Sequence, residues 1–213
     1  MFITLEGIEG SGKTSQIKHI AAFLENHGIH CIITREPGGT ITGKKIRSIL
    51  LDPKNKDIDP VTELLLYNAD RVQHINTIII PSLSEGKTII CDRYFDATIA
   101  YQGYARGLNI SLIKQLHKIA AKNLKPDITF LLDLNPEIGL ERAWKQVKTG
   151  QRTIIETRFE KEMLSFHKKV RKGYLTIAGL EPDRFKIIDA SQNIVHVTQD
   201  IINTLKIVIN KRQ

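Results

Sequence analysis

Apolar positions along the chain follow two alternating patterns. Five short runs, Phe2–Leu5, Cys31–Thr34, Thr88–Cys91, Ile128–Leu132 and Phe185–Ile188, are rich in Ile, Leu, Phe or Thr and show no polar alternation. Such runs predict strands buried on both faces, as in a parallel sheet. Between them, apolar residues recur every three or four positions. That spacing predicts helices over about 13–27, 42–51, 60–84, 110–123, 136–147, 159–178 and 194–210. Ile17, Ile20, Ala21 and Leu24 share one such face, and Gly28 is a stop signal. Strands that alternate with helices imply α/β architecture, a doubly wound five-stranded parallel sheet flanked by helices in a single domain over residues 1–213. Ligands of such sheets collect at the carboxyl ends of the strands. Pro53 to Asp59 is a polar, Pro-bounded loop. The polar stretch Lys148 to Thr157 separates two helical segments and is the centre of a candidate lid over about 143–158.

The first strand run leads directly into Gly7-Ile8-Glu9-Gly10-Ser11-Gly12-Lys13-Thr14, which fits the phosphate-binding pattern G-x-x-x-x-G-K-[ST]. Glycines let backbone N–H groups turn inward and approach phosphate oxygens. Lys13 brings a cation to the β- and γ-phosphates, and the Thr14 hydroxyl can ligate Mg²⁺. The positive end of the helix that follows adds to the attraction. Strand, loop and helix in that order are the setting this chemistry requires.

Composition narrows the setting without changing it. The 213 residues are 41% hydrophobic and 25% charged, as in an ordinary globular chain. A net charge of +8 suits nucleic acid, anionic membrane or phosphorylated small molecules. The excess is spread, with small clusters at Lys168, Lys169 and Lys172 and at Lys211-Arg212, and no long basic tract. Glu6 and Glu9 follow the apolar start at once, unlike a signal peptide, and no apolar run approaches a membrane span. Cys31 and Cys91 lie in separate strand runs. They read as small buried hydrophobes in a reducing compartment, and parallel strands would hold them roughly 13 Å apart, too far for a disulfide. His and Cys spacing gives no zinc-like cluster.

Further polar clusters follow the strand runs. Arg35-Glu36-Pro37-Gly38-Gly39-Thr40 forces an irregular backbone beside charged groups. It is either a second anion site or a plain βα turn, with Glu36-Pro37 a candidate cis bond. In Asp92-Arg93-Tyr94 the aspartate can hold water on Mg²⁺ and the arginine offers a bidentate fork for phosphate; the other reading is a helix cap beside a surface arginine. Tyr67 and Arg71 share a helix face. Ring and fork suit a nucleobase, unless the tyrosine packs the core and the arginine pairs with Glu63 or Asp70. The phosphate loop lacks an arginine, whereas phosphoryl transfer needs further cations, and Arg142, Arg152 and Arg158 flank or occupy the lid. A guanine-reading N-K-x-D segment is missing, since Asn55-Lys56-Asp57-Ile58 lacks the final Asp.

Together the segments F-I-T-L-E-G-I-E-G-S-G-K-T, T-R-E-P-G-G-T, L-L-L-Y-N-A-D-R-V-Q-H, D-R-Y-F-D-A-T-I-A-Y-Q-G-Y-A-R-G and F-H-K-K-V-R-K-G-Y-L resemble the bacterial thymidylate kinases over nearly the whole chain. The resemblance implies a P-loop kinase fold with a short lid, and ATP- and Mg²⁺-dependent conversion of dTMP to dTDP. It implies a cytoplasmic homodimer whose partners are small molecules rather than nucleic acid or membrane. It gives the loop Gly7–Thr14 to ATP, and Thr14, Asp92 and Glu160 to the metal. Lys13, Arg93 and a lid arginine, Arg152 or Arg158, become catalytic. Glu9, Arg35, Pro37, Tyr67, Arg71, Arg93, Thr98, Tyr101 and Gln102 fall to dTMP, with Arg71 on thymine and Tyr101 disfavouring a ribose 2′-hydroxyl. Departures from the family pattern are Tyr67 for a common Phe, Ala97 for a common Ser, and Thr157 for the usual acid before the lid arginine. Another nucleoside-monophosphate kinase, for example one acting on dUMP, and an ATP-driven nucleic-acid switch are the competing readings.

Overall fold

A computed structural model describes residues 1–121, 123–151 and 153–210. Five parallel strands among them, β1 (Phe2–Glu6), β2 (Cys31–Arg35), β3 (Thr88–Asp92), β4 (Ile128–Asp133) and β5 (Phe185–Asp189), form one sheet in the order β2-β3-β1-β4-β5. The register brings their ends level: Leu5 faces both Asp92 and Phe130, Arg35 faces Asp92, and Asp133 faces Asp189. Each strand thus finishes on a charged residue (Glu6, Arg35, Asp92, Asp133, Asp189) along one edge.

The inner strands bury Phe2, Ile3, Leu5, Ile89, Ile90, Phe130 and Leu131 almost completely, as the unbroken apolar runs predict. The outer strands do not follow that expectation. Ile33 on β2 and Ile187 on β5 are each 53% exposed. A strand at the sheet's edge has neighbours on one side only, and its apolar pattern cannot reveal that position. Cys31 pairs with Thr88 and Cys91 with Thr34, and both thiols are free.

Helices α1 (Lys13–Asn26), α2 (Ile41–Leu51), α3 (Pro60–His74), α4 (Ile80–Ser84), α5 (Phe95–Thr98), α6 (Ile110–Ala121), α7 (Pro136–Lys148), α8 (Leu164–Leu180) and α9 (Ile194–Asn210) flank the sheet. The single helix expected over 60–84 is α3 and α4 joined by a π turn at Ile75–Ile79, where Ile80 N donates to Ile75 O. Pro81 has no N–H and its ring crowds the preceding turn, and a widened turn accommodates both effects. The helix expected from residue 159 begins at Leu164. Residues 158–161 form turns instead, with Phe159 packed edge-on against Tyr101. A helical stretch that the apolar spacing did not single out, α5 continued by a π segment at Ile99–Ala105, carries Thr98, Tyr101 and Gln102 to the site.

Candidate active site

The loop between β1 and α1 wraps its own lysine. Lys13 Nζ donates to Gly7 O (3.0 Å), Ile8 O (2.8 Å) and Ser11 Oγ (3.2 Å). Burial, reinforced by the charge of Arg93, pulls the ammonium down to about 8, so an anion placed beside it is strongly favoured. Gly10 has φ +69°, and a Cβ there would lie 2.0 Å from Gly139 O on α7. Only glycine allows this backbone-on-backbone contact.

In front of the loop lies a cavity of about 570 Å³. The expected residues Glu9, Gly10, Ser11, Gly12, Lys13, Thr14, Arg35, Pro37, Tyr67, Arg71, Asp92, Arg93, Thr98, Tyr101, Gln102 and Glu160 all line it. Gly7 and Ile8 do not. Their carbonyls hold Lys13, and the Ile8 side chain is buried toward α7. Arg158 stands apart from the cavity. Its guanidinium donates to Glu63 and to Leu50 O and is buried. Thr157 stands where an acid was expected, and the buried carboxylate of Glu63 takes the arginine from another helix. Arg152 lies outside the described residues.

Arg93 sits at φ +67°, immediately past β3. Its guanidinium donates to Gly7 O (2.9 Å), Tyr174 Oη (3.0 Å) and Glu9 Oε1 (3.1 Å), and lies over the Tyr101 ring. Tyr101 also donates to Glu9 Oε1 at 2.6 Å, while His167 Nδ1 stands 3.3 Å from Glu9 Oε2. Burial works against the charged form of Glu9. The adjoining His167 and the cation of Arg93 outweigh it and hold the carboxyl well below its usual range.

Arg71 is buried deeper in the cavity. It pairs with neither Glu63 nor Asp70. Its Nε donates to Glu36 Oε2 (2.8 Å) and a terminal amine to Thr98 Oγ1 (3.0 Å). Glu36 in turn contacts His74 Nδ1 (2.9 Å), whose Nε2 meets Thr34 Oγ1 (2.6 Å). The charged loop after β2, with its cis Glu36-Pro37 bond, therefore anchors Arg71. Gln102 Nε2 donates to Glu63 Oε1 at 2.7 Å. Asp92 Oδ1 is buried with no hydrogen-bond partner, as suits a carboxylate that awaits a metal or its water.

The described part of the candidate lid holds a 3₁₀ turn at Ile154–Glu156. Arg47 on α2 grips Glu156 through two bonds of 2.9 and 2.8 Å and donates to Pro37 O. Apolar spacing gave no hint of Arg47, Glu36 or His74; the signals were the charged T-R-E-P-G-G-T loop for Glu36 and the L-L-L-Y-N-A-D-R-V-Q-H segment for His74. A second cavity of about 450 Å³ adjoins the loop's other side, lined by Gly10, Gly12, Ser15, Arg142, Gln192 and Asn193 among others. Arg142 donates there to Ala190 O at 3.0 Å, away from the lid.

A loop of phosphate-binding pattern thus lies between two cavities, one of them rich in arginine. The family model described as thymidylate kinase matches residues 5–201. The chain belongs to the thymidylate kinase family. It is 53% identical over 206 residues to the thymidylate kinase of Desulfosudis oleivorans, which covers 97% of this chain and 96% of that relative. The thymidylate kinase of Syntrophotalea carbinolica is 51% identical over 209 residues, covering 98% and 96%. A crystal structure of thymidylate kinase from Ehrlichia chaffeensis is similar at TM-score 0.76 and 36% identity, over 97% of this chain and 98% of that one. The thymidylate kinase fold thus accounts for the sheet order and for the cavity at its carboxyl edge.

Proposed function

We propose that the protein transfers the γ-phosphoryl group of ATP to dTMP, giving ADP and dTDP. The observation that carries this reading is the fixed polarity of the deep cavity. Arg71, locked by Glu36, offers donors. The Gln102 amide nitrogen is committed to Glu63, leaving its carbonyl as an acceptor. Thymine matches that pair with a ring carbonyl and an adjacent N–H. Cytosine presents the reverse polarity at both positions. Tyr67 on the neighbouring helical turn supplies a flat apolar face.

Arg93 then holds the 5′-phosphate of dTMP, and Glu9 and Tyr101 frame the sugar. Lys13 exchanges its carbonyl partners for the β- and γ-oxygens of ATP, whose nucleoside takes the second cavity beside Arg142. Thr14, Asp92 and Glu160 are the residues that would hold Mg²⁺, a group that supplies charge neutralisation between the phosphates. A lid arginine, Arg152 or Arg158, supplies the cation for the moving phosphoryl group. Family membership sets aside a nucleic-acid switch. No helix among the described residues is long and apolar enough to cross a membrane. The two free thiols suit a reducing compartment such as the cytoplasm.

A coupled assay with ATP and Mg²⁺ over dTMP, dUMP, dCMP, dGMP and dAMP tests the reading. Unpartnered buried donors cost about 1–3 kcal/mol, so dTMP is expected to exceed dCMP by ten- to a hundredfold in kcat/KM. Comparable turnover of dCMP defeats the assignment. Lys13→Ala serves as the control and loses activity with an unchanged circular dichroism spectrum.

A further inference from the structure

Behind the phosphate loop, outside the cavity, two buried polar side chains meet. Glu6 closes β1 and is fully buried. Its Oε1 accepts from Tyr94 N at 2.7 Å and its Oε2 from the Tyr174 hydroxyl at 2.7 Å. That hydroxyl oxygen accepts in turn from Arg93 at 3.0 Å. Tyr174 comes from α8, 81 residues beyond Arg93. Neither Glu6 nor Tyr174 lines the cavity.

Resting on the reading of Arg93 as the acceptor-phosphate ligand, we infer that Glu6 and Tyr174 are positioning residues that fix Arg93 for that phosphate. Glu6 grips the arginine from two directions. Through Tyr94 N it pins the backbone just after a residue at φ +67°, a conformation that costs energy for any side chain but glycine. Through Tyr174 it sets the hydroxyl's direction: a hydroxyl that donates to a carboxylate must turn its lone pairs to the other side, where Arg93 stands. Glu6 is fully buried and takes both of its hydrogen bonds from groups that lead to Arg93. A carboxyl in such a place is a poor stabiliser, and an apolar side chain of equal volume would serve the core better. Its contacts point instead to aiming the arginine.

Tyr174→Phe removes one oxygen and keeps the ring. The expected result is about a tenfold rise in KM for dTMP, with KM for ATP within twofold of wild type. A merely structural role would move both constants together. The decisive readout is dTMP binding by calorimetry in an Arg93→Ala background, where Tyr174→Phe has nothing left to aim and should cause no further loss. An equal loss in both backgrounds, or parallel losses for ATP and dTMP, overturns the inference. Glu6→Gln, which keeps one acceptor, is expected to fall between wild type and Tyr174→Phe. Should the wild type turn over dTMP while Tyr174→Phe leaves its KM unchanged, the functional reading stands and this inference alone fails. If the wild type does not use dTMP, the functional reading fails first.

Discussion

Single residues here are held by chemistry that their neighbours in sequence do not disclose. His117 is an example outside the site. It is buried, stacks on Phe95 with ring centroids 4.0 Å apart, and neither ring nitrogen has a hydrogen-bond partner. Burial, with Arg71, Lys125 and Arg184 nearby, pulls its pKa down to about 3. Between pH 6.5 and 3 the unfolded chain therefore binds a proton that the folded chain refuses. Stability contributed by this group is complete above pH 6.5 and is lost on acidification. At pH 5.5 the loss is about 1.4 kcal/mol. His117→Phe keeps the stacking and removes the titration. Denaturant unfolding at pH 7.5 and 5.5 is expected to show the variant losing less than wild type by about that amount. Equal losses would mean that the ring is protonated in the fold.

Among elements, the packing of α7 on the phosphate loop has the sharpest consequence. Gly139 lies in the first turns of a helix, where alanine usually stabilises by up to about 1 kcal/mol. A Cβ there would sit 2.5 Å from Glu9 O and 2.9 Å from Ile8 Cδ1. Gly139→Ala is expected to displace the loop, raising KM for ATP about tenfold without a gain in melting temperature. Unchanged ATP kinetics would show that the helix yields instead. No motif flagged this glycine, because its constraint is a contact with a loop 130 residues away. The same reason limited the rest of what the sequence disclosed. Five strands and the polar residues just past them were legible, since burial and turn chemistry are written locally. The exposure of Ile33 required the strand order. The capture of Arg158 by Glu63 required the fold, and so did the Glu6–Tyr174 pair. The helix over Phe95–Ala105 escaped because it is buried nearly all round, Asp96, Thr98 and Gln102 included, so its sequence shows no single apolar stripe.

At the scale of the whole molecule, two features of the surface and the sheet stand out. Val61, Leu65 and Val72 form one exposed apolar stripe on α3, and Leu112 and Ile119 another on adjacent α6. Exposed apolar residues of this kind are where association would be sought, and the homodimer expected of the family is tested here. Sedimentation velocity is expected to give twice the chain mass of 24.1 kDa for wild type and a monomer for Leu65→Glu. A monomeric wild type refutes the expectation. The sheet order has its own consequence. β1 is central, with β3 and β2 to one side and β4 and β5 to the other. Arg35, Tyr67, Arg71, Arg93 and Tyr101 arise between β1 and β4, whereas Arg142, Gln192 and Asn193 follow β4 and β5. The loop after β1 lines both cavities, as do Gln146 and Gln151 after β4. On the proposed reading, most residues that choose the acceptor come from the stretch before β4 and those that choose the donor from after it, so substitutions in one group leave most of the other intact.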